Sequence, residues 1–429
     1  MINFIYFIYL IIYHKSFISS KIQLNFKRRI ISNLNKENII KALKMNDIYT
    51  NIKIGNPQQE IPITLKLQKN EFYIISNQSN YNKSKVFSEK LSKSFQRLKH
   101  IDVPQPEEIY QGELSTENIQ FDNNNIINNL TFFLGIELSK YRNIYEGGSI
   151  GLKIHFENFE ILKGMNLVNN LKLLNIIDSY SFSLRFDKED NLELIIGNLP
   201  HEYDKKYSEE KLKKTNAIYF GGNPEWILNF EEIKYNNKTF NNFKKFWLYP
   251  ELGVIISTSE FRDYMNQTFF QKYISQGICF QNLYNDTVEF DKYYYFYCKD
   301  TLNPEIFGNI SFYHKDFNYT FIIEFKDLFY KLGNLNYFLI LFPTILTVEW
   351  KLGLPFFRKY DFVFDMDKKF IGFYIGKSGF SLNLWIILFF VLLIIVIIMG
   401  FIIYFLLNKK PRKIRVNELD EQYEYLTNN

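Results

Sequence analysis

The sequence predicts an all-β chain with a few short helices, followed by a C-terminal transmembrane helix. Short runs rich in Ile, Phe, Tyr and Val recur from Asp47 to about Phe380, with clusters of Asn, Lys and Asp between them. Runs of this kind between turn-forming residues are typical of β-strands. Near the C-terminus, Leu384–Leu407 forms a stretch of 24 residues without a charged side chain, which is long enough to cross a bilayer as a helix.

The individual elements follow from the spacing of apolar residues. The clearest strand predictions are Tyr49–Ile54, Ile61–Leu67, Glu71–Ser76, Leu192–Ile196 and Phe362–Phe364. Helical spacing is rarer, and the best examples are Asn166–Ile177 and Ser259–Ile274. No regular alternation of strands with long helices is visible, so the pattern does not favour a doubly wound sheet.

The composition limits the classes of function. The net charge of +5 is small for 429 residues and is not concentrated in one stripe, so it does not indicate a nucleic-acid partner. The sequence has no spacing typical of zinc ligands and no Gly-rich phosphate loop. We therefore expect no metal, no cofactor and no nucleic acid, and the sequence leaves the oligomeric state open.

The N-terminal region predicts a signal peptide over residues 1–20. The apolar run Met1–Tyr13 is too short to span a bilayer but has the length of a signal-peptide core, although it lacks the usual basic start. A buried N-terminal strand is the alternative. Residues 21–45 are rich in Lys and Arg, with Glu37 as the single acid, and we interpret them as a linker or a short pro-segment.

The C-terminal region predicts a single-pass type I membrane topology. Trp385 and Tyr404 lie near the two ends of the span Leu384–Leu407, and a cluster of Lys and Arg follows it. By the positive-inside rule, residues 408–429 form a cytoplasmic tail and the preceding domain is lumenal or extracellular. Tyr423–Leu426 fits a tyrosine-based sorting pattern, although chance explains such a pattern equally well in this tail.

Two features agree with a lumenal domain. Cys279 and Cys298 are the only cysteines, and in an oxidising compartment such a pair indicates one disulfide; two reduced, buried thiols are the alternative. Eight Asn-x-Ser/Thr sequons precede the predicted span, at Asn77, Asn82, Asn129, Asn237, Asn266, Asn285, Asn309 and Asn318.

Five segments carry a resemblance to a known family. Tyr49–Glu60 contains an aromatic strand and a Gly-Asn-Pro-Gln-Gln turn, and the others are Gly147–Leu152, Ser181–Leu184, Leu192–Asn198 and Trp350–Tyr360. Their order and spacing, and the continuation through Val363–Asp365 and Ile371–Phe373, resemble the pepsin-like (A1 family) eukaryotic aspartic proteases. The resemblance implies a two-lobed pepsin-like acid-protease fold, with an N-terminal lobe over residues 46–200 and a C-terminal lobe over residues 201–380. It also implies that Cys279–Cys298 corresponds to the family's second-lobe disulfide.

The resemblance also identifies what is missing. The family uses two facing aspartates, one from each lobe, which share a proton and activate a water. Counting from Gly55 places the first of these positions at Lys66, and the second falls at Tyr249. No Asp occurs between Asp47 and Asp102, nor between Asp204 and Asp263. Lys66 and Tyr249 are therefore vestigial positions, and we predict no catalytic residues.

Two further assignments remain open. A Glu71/Glu251 pair is an alternative acid pair, but Glu71 is five residues from Lys66 and is expected on the opposite strand face. Gln105 would replace the substrate-covering Tyr of the family's flap, because Gln111–Ser115 resembles the strand that follows it.

These observations predict a membrane-anchored, catalytically inactive aspartic-protease homologue of the secretory pathway or cell surface. Its ligand would be a peptide or a protein held in the cleft between the lobes. An active aspartic-type endopeptidase with a displaced acid pair, and a structural surface glycoprotein, are the alternatives.

Overall fold

The first strand alternates buried and more exposed side chains. In Ile22–Arg28, the side chains of Ile22, Leu24 and Phe26 are buried while their neighbours are more exposed. The computed structural model describes residues 21–28, 39–45, 48–79, 85–102, 109–121, 126–138, 147–154, 164–241, 245–286, 291–375, 393–401 and 403–404.

The strands account for nearly half of the described residues up to Ile375. The N-terminal half contains β1 Ile22–Arg28, β2 Ile48–Ile54, β3 Gln59–Lys66, β4 Tyr73–Ile75, β5 Gln96–Asp102, β6 Ile109–Gln120, β7 Ile126–Leu138, β8 Gly148–Gly151, β9 Ser181–Phe186 and β10 Leu192–Ile196. The following strands are β11 Leu212–Asn216, β12 Ile218–Phe220, β13 Asn223–Glu225, β14 Ile227–Leu228, β15 Glu232–Tyr235, β16 Lys238–Phe240, β17 Phe246–Leu248, β18 Ile255–Ile256, β19 Cys279–Asn285 and β20 Lys292–Lys299. The last are β21 Ile310–His314, β22 Tyr319–Ile323, β23 Phe329–Leu332, β24 Leu335–Phe338, β25 Ile340–Pro343, β26 Trp350–Leu352, β27 Phe362–Asp365 and β28 Phe370–Tyr374.

The helices are short. They are α1 Ile39–Lys44, α2 Leu167–Leu173, α3 Pro200–Tyr203, α4 Ser259–Met265, α5 Gln271–Ser275, α6 Phe325–Leu328 and α7 Leu354–Phe357. A π-helical segment, Asn266–Phe270, connects α4 to α5. Both predicted helical regions are helical, and α2 begins where the Asn166 side chain accepts a hydrogen bond from Asn169 N, as N-cap residues do.

The sheets join the two predicted lobes. A 13-stranded sheet has the order β11-β28-β27-β9-β10-β1-β2-β3-β8-β4-β7-β6-β5. Its first three strands come from residues 201–380, the predicted C-terminal lobe, so this sheet contains strands of both predicted lobes. A nine-stranded sheet carries β14, β17, β26, β18 and β25, and β15, β16, β21 and β22 form a four-stranded sheet. The prediction of a mostly β-structured domain is confirmed.

The basic N-terminal segment belongs to this fold. β1 pairs with β10 on one side and with β2 on the other. Arg28 and Arg358 both bind the buried carboxylate of Asp190. The described residues 21–28 and 39–45 are therefore part of the fold and not a free linker. The basic residues of β1 alternate with buried apolar residues, and that alternation was overlooked in the sequence. Removal of the segment as a pro-segment stays a prediction.

The chain divides into two units, residues 1–376 and 377–429. In the second unit the described residues, 393–401 and 403–404, are helical. No helix among the described residues is long and apolar enough to cross a membrane. The ends of the predicted span Leu384–Leu407, the predicted signal peptide and the predicted tail lie outside the described residues.

Candidate functional site

Two equivalent loops follow β3 and β17. β3 runs parallel to β8, and β17 runs parallel to β26. Lys66 is the last residue of β3 and pairs with Gly151, whereas Tyr249 follows β17 and donates its backbone N–H to Leu352 O at 2.9 Å. Leu248 pairs with Leu352. The structure thus places Lys66 and Tyr249 at matching positions of the first loop, residues 66–71, and the second loop, residues 249–253.

A glycine in each half permits the close approach of the backbone at these loops. A Cβ added to Gly151 would lie 2.6 Å from the backbone of Asn70 and Glu71. A Cβ added to Gly353 would lie 2.1 Å from Val254 O. Neither position accepts a side chain without a shift of the main chain, so both loops keep the tight backbone geometry that the glycines allow.

The side chain of Gln68 crosses from the first loop to the other half of the protein. Its Nε2 donates to Leu248 O at 2.9 Å and to Trp226 O at 3.0 Å. Gln68 is only 9% exposed. A buried amide that donates to two backbone carbonyls stabilises the contact between the two halves of the sequence. One of the two acceptors, Leu248 O, belongs to the residue directly before Tyr249.

The side chain of Glu251 reaches in the opposite direction, from the second loop to the first. It stands two residues after Tyr249, as Gln68 stands two residues after Lys66, and its carboxylate accepts a hydrogen bond from Leu67 N. Burial raises the pKa of the Glu251 carboxyl from 4.5 to about 7, although Lys66, Lys69 and two backbone N–H groups favour the charged form. The site therefore contains one buried acid that titrates near neutral pH.

Two further contacts tie the halves together beside these loops. Trp226 Nε1 donates to Leu152 O at 2.7 Å. Lys153 Nζ and Glu225 Oε1 form an ion pair at 2.6 Å. Burial raises the pKa of Glu225, and Lys153 opposes that shift. Buried and half-buried side chains thus occupy the region where the resemblance to the family implies the catalytic site.

Glu71 and Glu251 make different contacts. The groups with the largest effects on the pKa of Glu251 are its burial, Lys66, Leu67 N and Lys69, and Glu71 is not among them. Glu71 instead contributes its backbone carbonyl, which accepts from Gly151 N at 2.9 Å. Two carboxylates that share a proton must lie close together, and the pairing of Glu71 with Glu251 stays a prediction.

The helix α1 covers the second loop. Ile39, Ile40 and Leu43 are buried in one cluster with Val254 and Ile256. Gly253 N donates to Lys44 O at 2.9 Å. Lys44 Nζ binds Asp286 Oδ2 at 2.6 Å with both side chains buried, and it lies 4.7 Å from the centre of the Tyr293 ring. A segment of the chain itself therefore occupies this side of the site.

The other predicted sites have the following positions. Cys279 and Cys298 face each other in β19 and β20 and form a disulfide, as predicted. Six of the described sequon asparagines are exposed: Asn77, Asn129, Asn237, Asn285, Asn309 and Asn318. Asn266 is only half exposed in the π-helical segment. Asn82 and Gln105 lie outside the described residues, although β5 and β6 form the hairpin on which Gln105 was predicted.

Among the described residues there is no group of three or more His, Cys, Asp or Glu side chains placed to hold a metal ion. The strongest chemical groups at the site are instead Lys66, Tyr249, Gln68 and Glu251. Sequence reasoning did not find the crossing of Gln68, because its partners lie 158 and 180 residues away. The one signal in the sequence was Gln68 itself, a polar residue at the position where the resemblance implies the Gly of the first motif.

Comparison with known proteins gives one family. A family model described as eukaryotic aspartyl protease matches residues 47–374. No curated protein matches the chain. The matched range begins just before β2 and ends at the last residue of β28, so it covers both loops of the site.

Proposed function

Since this chain belongs to the eukaryotic aspartyl protease family, we propose that it is a non-catalytic member that binds a peptide or protein segment between its two lobes. The observation that carries the proposal is the content of the two loops. Lys66 and Tyr249 occupy the positions where the family's aspartates are expected. A lysine is no substitute for a carboxylate that accepts a proton from water.

The side chains around these positions support a structural role for the loops. Gln68 and Glu251 are both committed to backbone groups of the opposite half. The Thr and Gly that the family motif carries after each aspartate are replaced by Leu67 and Gln68 in one loop and by Pro250 and Glu251 in the other. Restoring Asp at the positions of Lys66 and Tyr249 should therefore not restore turnover.

The test is a cleavage assay with the full-length chain in detergent, over a peptide library and from about pH 3 to pH 7, where carboxylate dyads operate. We expect no cleavage. The same preparation should not be retained by an immobilised statine-type inhibitor, because such a ligand requires paired carboxylates. An active family member assayed in the same detergent is the control.

A second candidate is an endopeptidase that uses Glu251. The observation in its favour is the buried carboxyl with a pKa of about 7, a value suited to a general acid or base. Library cleavage that is lost in Glu251→Gln, and retained in Glu71→Gln, would establish this candidate and refute the non-catalytic proposal.

We further propose that the protein is a type I membrane glycoprotein of the secretory pathway or cell surface. The exposure of six sequon asparagines supports glycosylation, and the uncharged stretch Leu384–Leu407 supports an anchor. Removal of N-linked glycans should lower the apparent mass. Protease added to sealed vesicles should degrade the tail and spare the ectodomain, and extraction of the chain by carbonate would contradict the anchor.

A further inference from the structure

One face of β17 and β26 is turned away from the protein core. Phe246 and Leu248 are fully buried, whereas Lys245, Trp247 and Tyr249 are half-buried. Alternate residues of a strand point to opposite faces, so these three side chains lie along one face. The face ends at Tyr249, the vestigial position of the second loop.

The side chains on this face form one connected surface. The ring of Phe220 lies 5.3 Å from that of Trp247. Lys245 Nζ lies 4.2 Å from the centre of the Phe220 ring, and Lys351 Nζ lies 5.5 Å from the centre of the Tyr249 ring. Trp247 and Lys351 are register partners in the sheet. We name these five residues the Trp247 surface.

Positive charge dominates the Trp247 surface. Its two lysines are half-buried over aromatic rings. Glu349 also lies beside this face, and its carboxylate accepts a hydrogen bond from Trp247 Nε1 at 3.0 Å. Glu251 is turned inward to Leu67 N. With two lysines and one carboxylate, the charged side chains of this face give a net charge of +1.

An exposed apolar loop borders the same surface. Between β25 and β26, Ile345 is 65% exposed, Leu346 is 92% exposed and Val348 is 69% exposed. Scattered apolar residues on a surface need no explanation, but three large aliphatic side chains within four positions form a patch typical of an interaction site. Val348 directly precedes Glu349, which contacts Trp247.

We infer that the Trp247 surface binds an extended acidic peptide, with carboxylates at Lys245 and Lys351 and apolar side chains against Trp247 and the Ile345–Val348 loop. The inference rests on the proposed function and specifies the chemistry of its ligand. Lys245 precedes Trp247 by two positions, and Lys351 is opposite Trp247, so their Cα atoms are diagonal neighbours about 8 Å apart. Carboxylates at alternate positions of an extended peptide are separated by about 7 Å, which is close to the spacing of the two Cα atoms, and the long lysine side chains can adjust the positions of their ammonium groups.

The experiment measures binding of three fluorescent peptides to the full-length chain in detergent micelles. The peptides alternate Leu with Glu, with Gln or with Lys. The variants are Lys245→Gln and Lys351→Gln. Lys238→Gln is the matched control, because Lys238 Nζ also lies over aromatic rings, 4.6 Å from Phe240 and 4.5 Å from Tyr264, in a different sheet.

We expect the Glu peptide to bind most tightly and its affinity to fall with rising salt. Each of the variants Lys245→Gln and Lys351→Gln should lower the affinity for the Glu peptide roughly fivefold, which is the effect of removing one partly exposed charged contact. The control variant Lys238→Gln should leave this affinity unchanged. Circular dichroism and the unfolding midpoint should show that each variant remains folded.

Four outcomes would overturn the inference. If the Gln and Glu peptides bind equally, or if Lys238→Gln weakens binding as much as Lys351→Gln, the surface does not select acidic ligands, while the proposed function stands. Binding of no peptide at all would contradict both proposals. If both lysine variants reduce contact with anionic lipid in nanodiscs without changing peptide binding, the surface faces a membrane.

Discussion

Replacement of Glu251 by Gln gives a direct measure of the electrostatics at the site. The Glu251 carboxyl has a pKa of about 7 in the folded protein, against 4.5 for an exposed glutamate. The folded state thus holds this proton more tightly than the unfolded state does. The resulting stability is fully present below about pH 4.5 and is lost as the pH rises to about 7.

The size of the effect follows from the same two values. The interval from 4.5 to about 7 corresponds to about 3 kcal/mol in the free energy of unfolding. Glu251→Gln has no charge at any pH and retains an oxygen that can accept from Leu67 N. Its unfolding free energy, relative to that of the wild type, should therefore increase by about 3 kcal/mol between pH 4.5 and pH 8.

The assay is reversible urea unfolding followed by tryptophan fluorescence, at intervals of pH. All other titrating groups are common to the two proteins, so the difference between their profiles isolates position 251. Glu260→Gln, an exposed carboxylate at the start of α4, is the control and should run parallel to the wild type. If the profile of Glu251→Gln is also parallel, Glu251 is not held in a buried, charge-disfavouring position.

Two further predictions concern the stability of the folded chain. Lys44→Met removes the buried cation at Asp286 and should lower the free energy of unfolding by about 3 kcal/mol. The double variant Lys44→Met, Asp286→Leu should recover most of this loss, and an equal loss in the single and double variants would refute the role of the pair. Replacing Cys279 and Cys298 by Ser opens a loop of 19 residues and should cost about 3 kcal/mol, measured as a lower urea midpoint; an unchanged midpoint in non-reducing buffer would show that the bond does not form.

Much of the fold could be predicted from local patterns. The strands around Tyr49–Ile54 and Leu192–Ile196 form as expected, because each combines β-branched or aromatic residues with flanking turn formers. The first loop was located by counting from Gly55, and the second from the segment Trp226–Leu228 upstream of it. Lys66 and Tyr249 could thus be assigned without knowing any long-range contact.

The rest required the three-dimensional structure. Ile39–Lys44 is a helix of six residues, too short for its periodicity to stand out in a basic segment. The crossing of Gln68 and Glu251 depends on two loops that are distant in sequence and become neighbours only when the sheets assemble. A pKa near 7 for Glu251 also depends on burial, which the sequence around Pro250 does not reveal.

The position of β1 limits how this protein can mature. β1 lies between β10 and β2 in the central sheet, and Arg28 shares the buried Asp190 with Arg358. A processing protease that cut near Met45 would leave β1 held by hydrogen bonds as a non-covalent fragment. Dissociation of this fragment would remove Arg28 from Asp190. It would also expose the edge of β10, and an exposed strand edge promotes aggregation. Recombinant forms intended for crystallisation should therefore begin no later than Lys21.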